Sequence, residues 1–253
     1  MIFCLIFLTG TACSLSAQDA RQIVEKSTKI IDFQSSEMVS TLKIYDDKGN
    51  CRIRQVANAT NRFGETTKTL IQFLSPADVK GTSLLIYDYE TKDDDMWIYL
   101  PSLRKSRRIV SSEKGKSFMG SEFSNADMSK PTLDDFTYHL KGDENYDGKL
   151  CWKIESRCKD DVVSEKYGFT GKISWIDKET GLILQTEFFR GKDQPEKTMI
   201  MRDYRKQANG KYFAFNMEMK NLLNNRKSEI IIDKFQQGSK LPETSFSVAT
   251  LGN

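Results

Sequence analysis

The chain holds one histidine, His139, in the strand-like context Phe136-Thr137-Tyr138-His139-Leu140. It would be the sole imidazole for any Ser-His or Cys-His couple, and no G-x-S-x-G elbow accompanies it. A single histidine also removes every His-paired metal motif. Beyond the N-terminal segment the cysteines are Cys51, Cys151 and Cys158, with no C-x-x-C among them. Cys151 and Cys158 on one straight strand would face opposite sides, which forbids a bridge unless the chain turns between them. They read as structural. Asp93-Asp94-Asp95 lacks the spaced ligands of a calcium loop and reads as a solvated turn. No phosphate-cradling G-x-x-x-x-G-K-[ST] or G-x-G-x-x-G occurs. Catalytic residues, metal ligands and cofactors are therefore all expected to be none, and the chain reads as a non-enzyme.

The unusual chemistry lies in residues 93–128. Arg104, Lys105, Arg107, Arg108, Lys114 and Lys116 stand there against one acid among them, Glu113. Charge of this kind blunts an edge strand against aggregation, and it also suits an anionic lipid headgroup or membrane surface. Arg107 and Arg108 are adjacent, so on a strand they face opposite sides and at most one could point inward. Arg104, Arg107 and Arg108 are thus read as contacts to an anionic partner and not as pocket residues. Nucleic acid does not fit, because 38 basic residues nearly balance 35 acidic ones, for a net charge of +3. Phe118, Met119, Phe123 and Met128 follow among Gly and Ser, which suits an adaptable apolar contact, either a lid or a partner loop.

These residues need a frame. At 253 residues, 38% hydrophobic and 11% aromatic, the chain is large enough for one domain with a sizeable core. Residues 2–8 are an apolar run, and small residues lead to Leu15-Ser16-Ala17. This reads as a secretory signal over 1–17, cut after Ala17, although no Lys or Arg precedes the run. Lipidation at Cys13 is the rival, weakened by Gly10 where a large apolar residue belongs. The spacing of Ala20, Ile23, Val24, Ile30 and Ile31 predicts an amphipathic helix over 19–32, capped by Asp19. From residue 36 the period changes to two, and Asp147-Gly148 and Asn209-Gly210 mark hairpins. Phe213, Phe215, Met217 and Met219 share one face of the clearest strand. The fold expected is mainly β, a curled antiparallel sheet of about 11 strands with an N-terminal helix. The pattern alone leaves open whether the interior is filled or hollow. No linker divides 18–253, which reads as one domain.

Asp95-Met96-Trp97-Ile98-Tyr99-Leu100-Pro101, Leu103-Arg104-Lys105, Arg107-Arg108-Ile109 and Ser117-Phe118-Met119-Gly120-Ser121-Glu122-Phe123-Ser124, with Phe73-Leu74-Ser75-Pro76-Ala77-Asp78 upstream, resemble the outer-membrane lipoprotein-sorting protein family, periplasmic relatives of the carrier LolA. The resemblance implies a half-open antiparallel barrel with a short lid. Its apolar cavity would hold acyl chains of lipoproteins or other lipids in transit between membranes. A sensor on the same fold, reporting lipid load to a membrane regulator, is the alternative. The implied setting is the periplasm, as a monomer with transient membrane contact and an exporter of the resistance-nodulation-division type as partner. The expected cavity lining is Leu42 and Ile44, Ile71 and Phe73, Trp97 and Tyr99, Trp152 and Ile154, Ile173 and Trp175, Met199 and Met201, and Phe213, Phe215 and Met217. One departure stands out: LolA ties down its helical lid with an arginine on an early strand, and none of Arg52, Arg54 and Arg62 is matched to it, so that lid mechanism is not carried over to this sequence.

Overall fold

The computed structural model describes residues 12–90, 92–191 and 193–252. The apolar run of the expected signal lies outside them. Helix α1 (Ala12–Ile30) leads into β1 (Ser36–Tyr45), β2 (Cys51–Phe63), β3 (Thr66–Ser75), β4 (Ser83–Tyr89), β5 (Asp95–Leu100) and β6 (Lys105–Ile109). A connection of residues 110–135 follows, beginning with the short helix α2 (Ser111–Lys114). Then come β7 (Phe136–Tyr146), β8 (Lys149–Cys158), helix α3 (Asp161–Tyr167), β9 (Gly171–Asp177), β10 (Ile183–Phe189), β11 (Lys197–Lys206), β12 (Tyr212–Asn221) and β13 (Lys227–Gln237).

All strands form one 13-stranded sheet in the order β6-β5-β4-β3-β2-β1-β13-β12-β11-β10-β9-β8-β7. Every pairing is antiparallel, so the sheet is a hairpin meander interrupted only where β1 meets β13. The expected mainly β, half-open barrel is what forms, with 13 strands rather than about 11. Strands β6 and β7 are its free edges, and the connection 110–135 runs from one edge to the other.

One apolar cluster identifies the concave side. It joins Leu42, Val56, Phe73, Ile86 and Met96 from one half of the sheet to Phe136, Ile154, Ile176 and Met219 from the other. Residues from both halves meet in one cluster only on the inside of a curl. Ala20, Ile23 and Val24 of α1 join it. The helix packs along β7, and Arg21 pairs with Asp134 at 2.5 Å. A free strand edge is thereby covered, as exposed edges require. The helix starts upstream of the expected residue 19, so Asp19 lies inside it and caps nothing.

The outer face carries two separate clusters. Phe246 and Leu251 of the C-terminal tail bury Leu85, with Trp97 and Tyr99 packed against them. Cys151, Trp175 and Leu184 form the other, with Ile173 and Tyr204. Cys151 is buried in that outer cluster, while Cys158 packs against the inner one. The opposite faces expected for the two thiols are observed, and both are free.

Candidate functional site

The concave face is closed by the chain itself. Residues 117–124 fold into a tight hairpin, with Phe118 N–H donating to the Phe123 carbonyl at 2.8 Å and Ser121 N–H to the Phe118 carbonyl at 2.9 Å. Met119 (φ 51°) and Gly120 (φ 77°) occupy the turn. Positive φ at both central positions defines a type I′ turn, which explains glycine at the second. The hairpin points Phe118 (3% exposed) and Phe123 (2% exposed) into the inner cluster. Phe118 lies 5.7 Å from the Phe73 ring, and Met119 and Met128 pack beside them. Burial of a Phe contributes roughly 1.5–3 kcal/mol, so these side chains hold the hairpin inward. Between Tyr167, Phe169, Phe188 and Met219 lies a small cavity of about 50 Å³.

Two polar clasps hold this lid, one from each half of the sheet. On β2, Arg54 is 7% exposed and donates from Nη1 to the Met119 carbonyl at 2.5 Å. Its guanidinium stands 5.8 Å from the Phe73 ring. Burial pushes the Arg54 pKa below the usual arginine value, with neighbouring Arg52 adding to the effect. Arg52 itself is exposed, and Arg62 reaches the opposite end of the barrel, where it contacts Gly64 and Glu90. Of Arg52, Arg54 and Arg62, Arg54 alone touches the lid among the contacts described.

The second clasp is Glu122, 6% exposed. Its carboxylate accepts from Asn221 Nδ2 at 2.9 Å and pairs with Arg226 at 3.1 Å. Its backbone N–H donates to Ser228 Oγ at 3.0 Å, and its carbonyl accepts from Lys197 Nζ at 2.7 Å. Arg226 also reaches the Gly120 carbonyl at 3.2 Å. A buried carboxylate is tolerable only when paired and hydrogen-bonded, and strands β11 to β13 meet that condition. Arg54 therefore holds the lid tip to one half of the sheet and Glu122 holds it to the other.

The lid's root is fixed where α2 meets α3. A Cβ on Gly115 would lie 2.6 Å from the Gly168 backbone nitrogen, so the two segments touch backbone to backbone. Below them runs a charged seam. Lys166 bridges Asp93 at 2.6 Å and Asp135 at 2.9 Å, and Lys114 donates to the Asp94 carbonyl at 2.7 Å. The expected solvated turn is corrected here, since Asp94 is 8% exposed. Burial raises its pKa and pushes that of neighbouring Asp88 up to about 6, with the charge of Asp94 adding to the rise.

The expected lining residues divide by strand face. Leu42, Ile44, Ile71, Phe73 and Ile154 belong to the inner cluster, and Trp152, Met199 and Met217 pack against it. Trp97, Tyr99, Ile173 and Trp175 do not, because they occupy the outer clusters. On β5 it is Met96 and Ile98 that turn inward. The strand is apolar on both faces because the C-terminal tail covers its back. Phe213 and Phe215 form an aromatic group with Phe33 and Phe235, Phe213 stacking on Phe235 at 4.4 Å. This group lies at the end of the barrel away from the lid tip. Met201 is buried beside Met217, with the Tyr204 hydroxyl 3.3 Å from its sulfur. Arg107 and Arg108 are held by Glu113 and Asp95, so of the three arginines only Arg104 has no ion pair among the described residues. His139 is an ordinary strand residue opposite Glu155.

A half-barrel with a self-inserted hairpin lid defines the class, the LolA-like fold. A domain from Vibrio parahaemolyticus described as an outer membrane lipoprotein-sorting protein superposes with a TM-score of 0.85 at 25% identity, covering 94% of this chain and 100% of that one. A DUF1329 family protein from Desulfovibrio piger gives 0.85 at 26% identity, over 93% and 99%. A LolA superfamily protein from Nitrosomonas europaea gives 0.69 at 17% identity, over 90% and 97%, a likeness of fold. Residues 65–253 match the model of a family described as uncharacterized protein, and the chain belongs to that family. No curated protein sequence matches it.

Proposed function

We propose that this protein carries acyl chains of lipoproteins or other lipids across the periplasm, without catalysing a reaction. The observation that carries this reading is an apolar concave face filled by apolar side chains of the chain's own hairpin, which polar contacts clasp to both halves of the sheet. Phe118, Met119, Phe123 and Met128 occupy the volume that an acyl chain would take when the lid swings out. Each buried methylene contributes about 0.8 kcal/mol, so an acyl chain leaves a membrane for such an interior only if the interior is comparably apolar. Competition with the lid keeps that affinity modest, which favours release to an acceptor. The likeness to a lipoprotein-sorting domain supports the reading. No helix among the described residues is long and apolar enough to cross a membrane, which accords with a carrier that moves between membranes.

Removal of residues 1–17 on export, a single working domain over 18–253, a monomeric state and delivery from an exporter of the resistance-nodulation-division type complete the proposal. Mass spectrometry of lipids bound to the protein purified from periplasm tests it. Stoichiometric acyl lipid is the expected result, and protein free of lipid that also refuses a fluorescent fatty-acyl probe contradicts it.

A further inference from the structure

The strand register fixes which turns share an end of the barrel. Hairpins β12–β13, β1–β2, β3–β4 and β5–β6 are neighbours in the sheet and all turn at the same end. That rim carries Leu222 (39% exposed), Leu223 (65%), Leu74 (37%) and Leu103 (62%). Exposed beside them are Lys48, Arg52, Lys80, Arg104 and Lys105, against the acids Asp46, Asp47 and Asp78. The turns at the opposite end hold Gly64-Glu65, Asp147-Gly148, Glu179-Thr180 and Asn209-Gly210, with Leu150 exposed (54%) beside them. The lid clasps open onto the first rim, since Asn221 and Arg226 flank Leu222 and Leu223.

We infer that this rim docks on an anionic lipid bilayer, with its leucines entering the interface and its cations meeting lipid phosphates. Leucines at turn tips are held by a bilayer without a shape-matched partner, and flanking Lys and Arg supply the attraction that an anionic leaflet rewards. On these four hairpins the five cations outnumber the three acids. Docking there places the lid mouth against the membrane, so an acyl chain passes between bilayer and interior without crossing water. It also places force on Leu222 and Leu223, within the same hairpin as the residues that clasp Glu122. The inference takes its purpose from the carrier reading, but it is tested without it.

The test is sedimentation of the mature chain with phosphatidylcholine vesicles and with vesicles containing phosphatidylglycerol. The wild-type protein is expected to bind the anionic vesicles and to be released by salt. The variant Leu103→Ser/Leu222→Ser/Leu223→Ser, changed only at exposed positions, is expected to bind them at least roughly tenfold more weakly. Arg104→Ser/Lys105→Ser is expected to lose roughly fivefold for each cation removed. Wild-type protein that ignores both vesicle types assigns the rim to a protein partner and overturns the inference, as does a leucine variant that binds like the wild type. Binding of a fluorescent fatty-acyl probe in vesicle-free solution is measured on the same samples. Loss of probe binding in the wild type refutes the carrier reading, and vesicle binding reports on the rim alone.

Discussion

Replacing Arg54 with Met tests whether the lid is held by a polar clasp or merely by apolar packing. Methionine preserves an unbranched stem beside Phe73 while removing the donor to the Met119 carbonyl. A hydrogen bond from a charged group contributes about 1.5–3 kcal/mol, and the cation over the ring adds about 0.5–1 kcal/mol. Against this stands the cost of keeping a guanidinium 93% buried with no acid paired to it in the described structure, which the substitution removes. The fold itself should therefore change by no more than about 1 kcal/mol. The lid is different, because only its closed form has the bond. A net loss of about 2 kcal/mol raises the open fraction roughly thirtyfold. Apparent affinity for an acyl probe scales with the open fraction while that fraction is small, so it should rise by a similar factor. Hydrogen exchange of Phe118 and Ser121 amides should accelerate in step, since both are bonded within the lid hairpin. Fluorescence titration and exchange mass spectrometry read the two effects. Unchanged exchange with unchanged affinity would refute the clasp, and weaker probe binding in a well-folded variant would make Arg54 part of the binding surface instead.

The seam predicts a pH response. Asp88 has its pKa raised to about 6 in the fold, chiefly by burial, against about 3.9 unfolded. Its protonated form is favoured by folding, so this contribution is fully present below about pH 4 and is lost as pH rises through 6. Asp88→Asn should therefore gain about 1–2 kcal/mol at pH 7 after allowance for solvent screening, with no gain at pH 4, by urea unfolding at each pH. At the lid root, Gly115→Ala places a methyl within 3 Å of the α3 backbone; we expect a loss of about 1–3 kcal/mol with increased exchange across 111–125. Phe215→Ala removes a ring from the aromatic group at the far end and should cost about 3–5 kcal/mol of stability, while probe affinity measured on the folded fraction stays within a factor of a few. If affinity falls more than stability, that group lines the binding interior.

The mainly β curl was legible because period-two alternation and Asx-Gly turns are local signals. Interior residues were legible where one strand face is polar, as at Leu42 and Ile44. They were not legible on β5, where both faces are apolar, nor on β9, whose more apolar face, Ile173 and Trp175, packs in the outer cluster. Trp97, Tyr99, Ile173 and Trp175 are large and apolar enough to line an interior, but the sheet turns them outward, into the two outer clusters. The missing information was the C-terminal tail, whose Phe246, Val248 and Leu251 supply an outer layer for β3 to β5. Spacing in that tail could have signalled it. Phe118, Met119, Phe123 and Met128 were visible as unusual, but their insertion depends on Arg54 and Glu122. Neither stands out in a chain with 29% charged residues, because what distinguishes them is burial and not type. The charged seam was hidden for the same reason: Asp94 and Lys114 become buried only when α2 and α3 pack against the β4–β5 turn.

The three tryptophans provide the most direct test that the concave face receives the acyl chain. Trp152 packs against the inner cluster, while Trp97 and Trp175 lie in the outer ones. Variants that keep one tryptophan each, the others changed to Phe, are titrated with a fatty acid brominated along its chain, which quenches indole fluorescence only at short range. Saturable quenching of Trp152 alone is the result this structure predicts. Quenching of Trp97 or Trp175 with Trp152 untouched would place the acyl chain on the outer face and contradict the account.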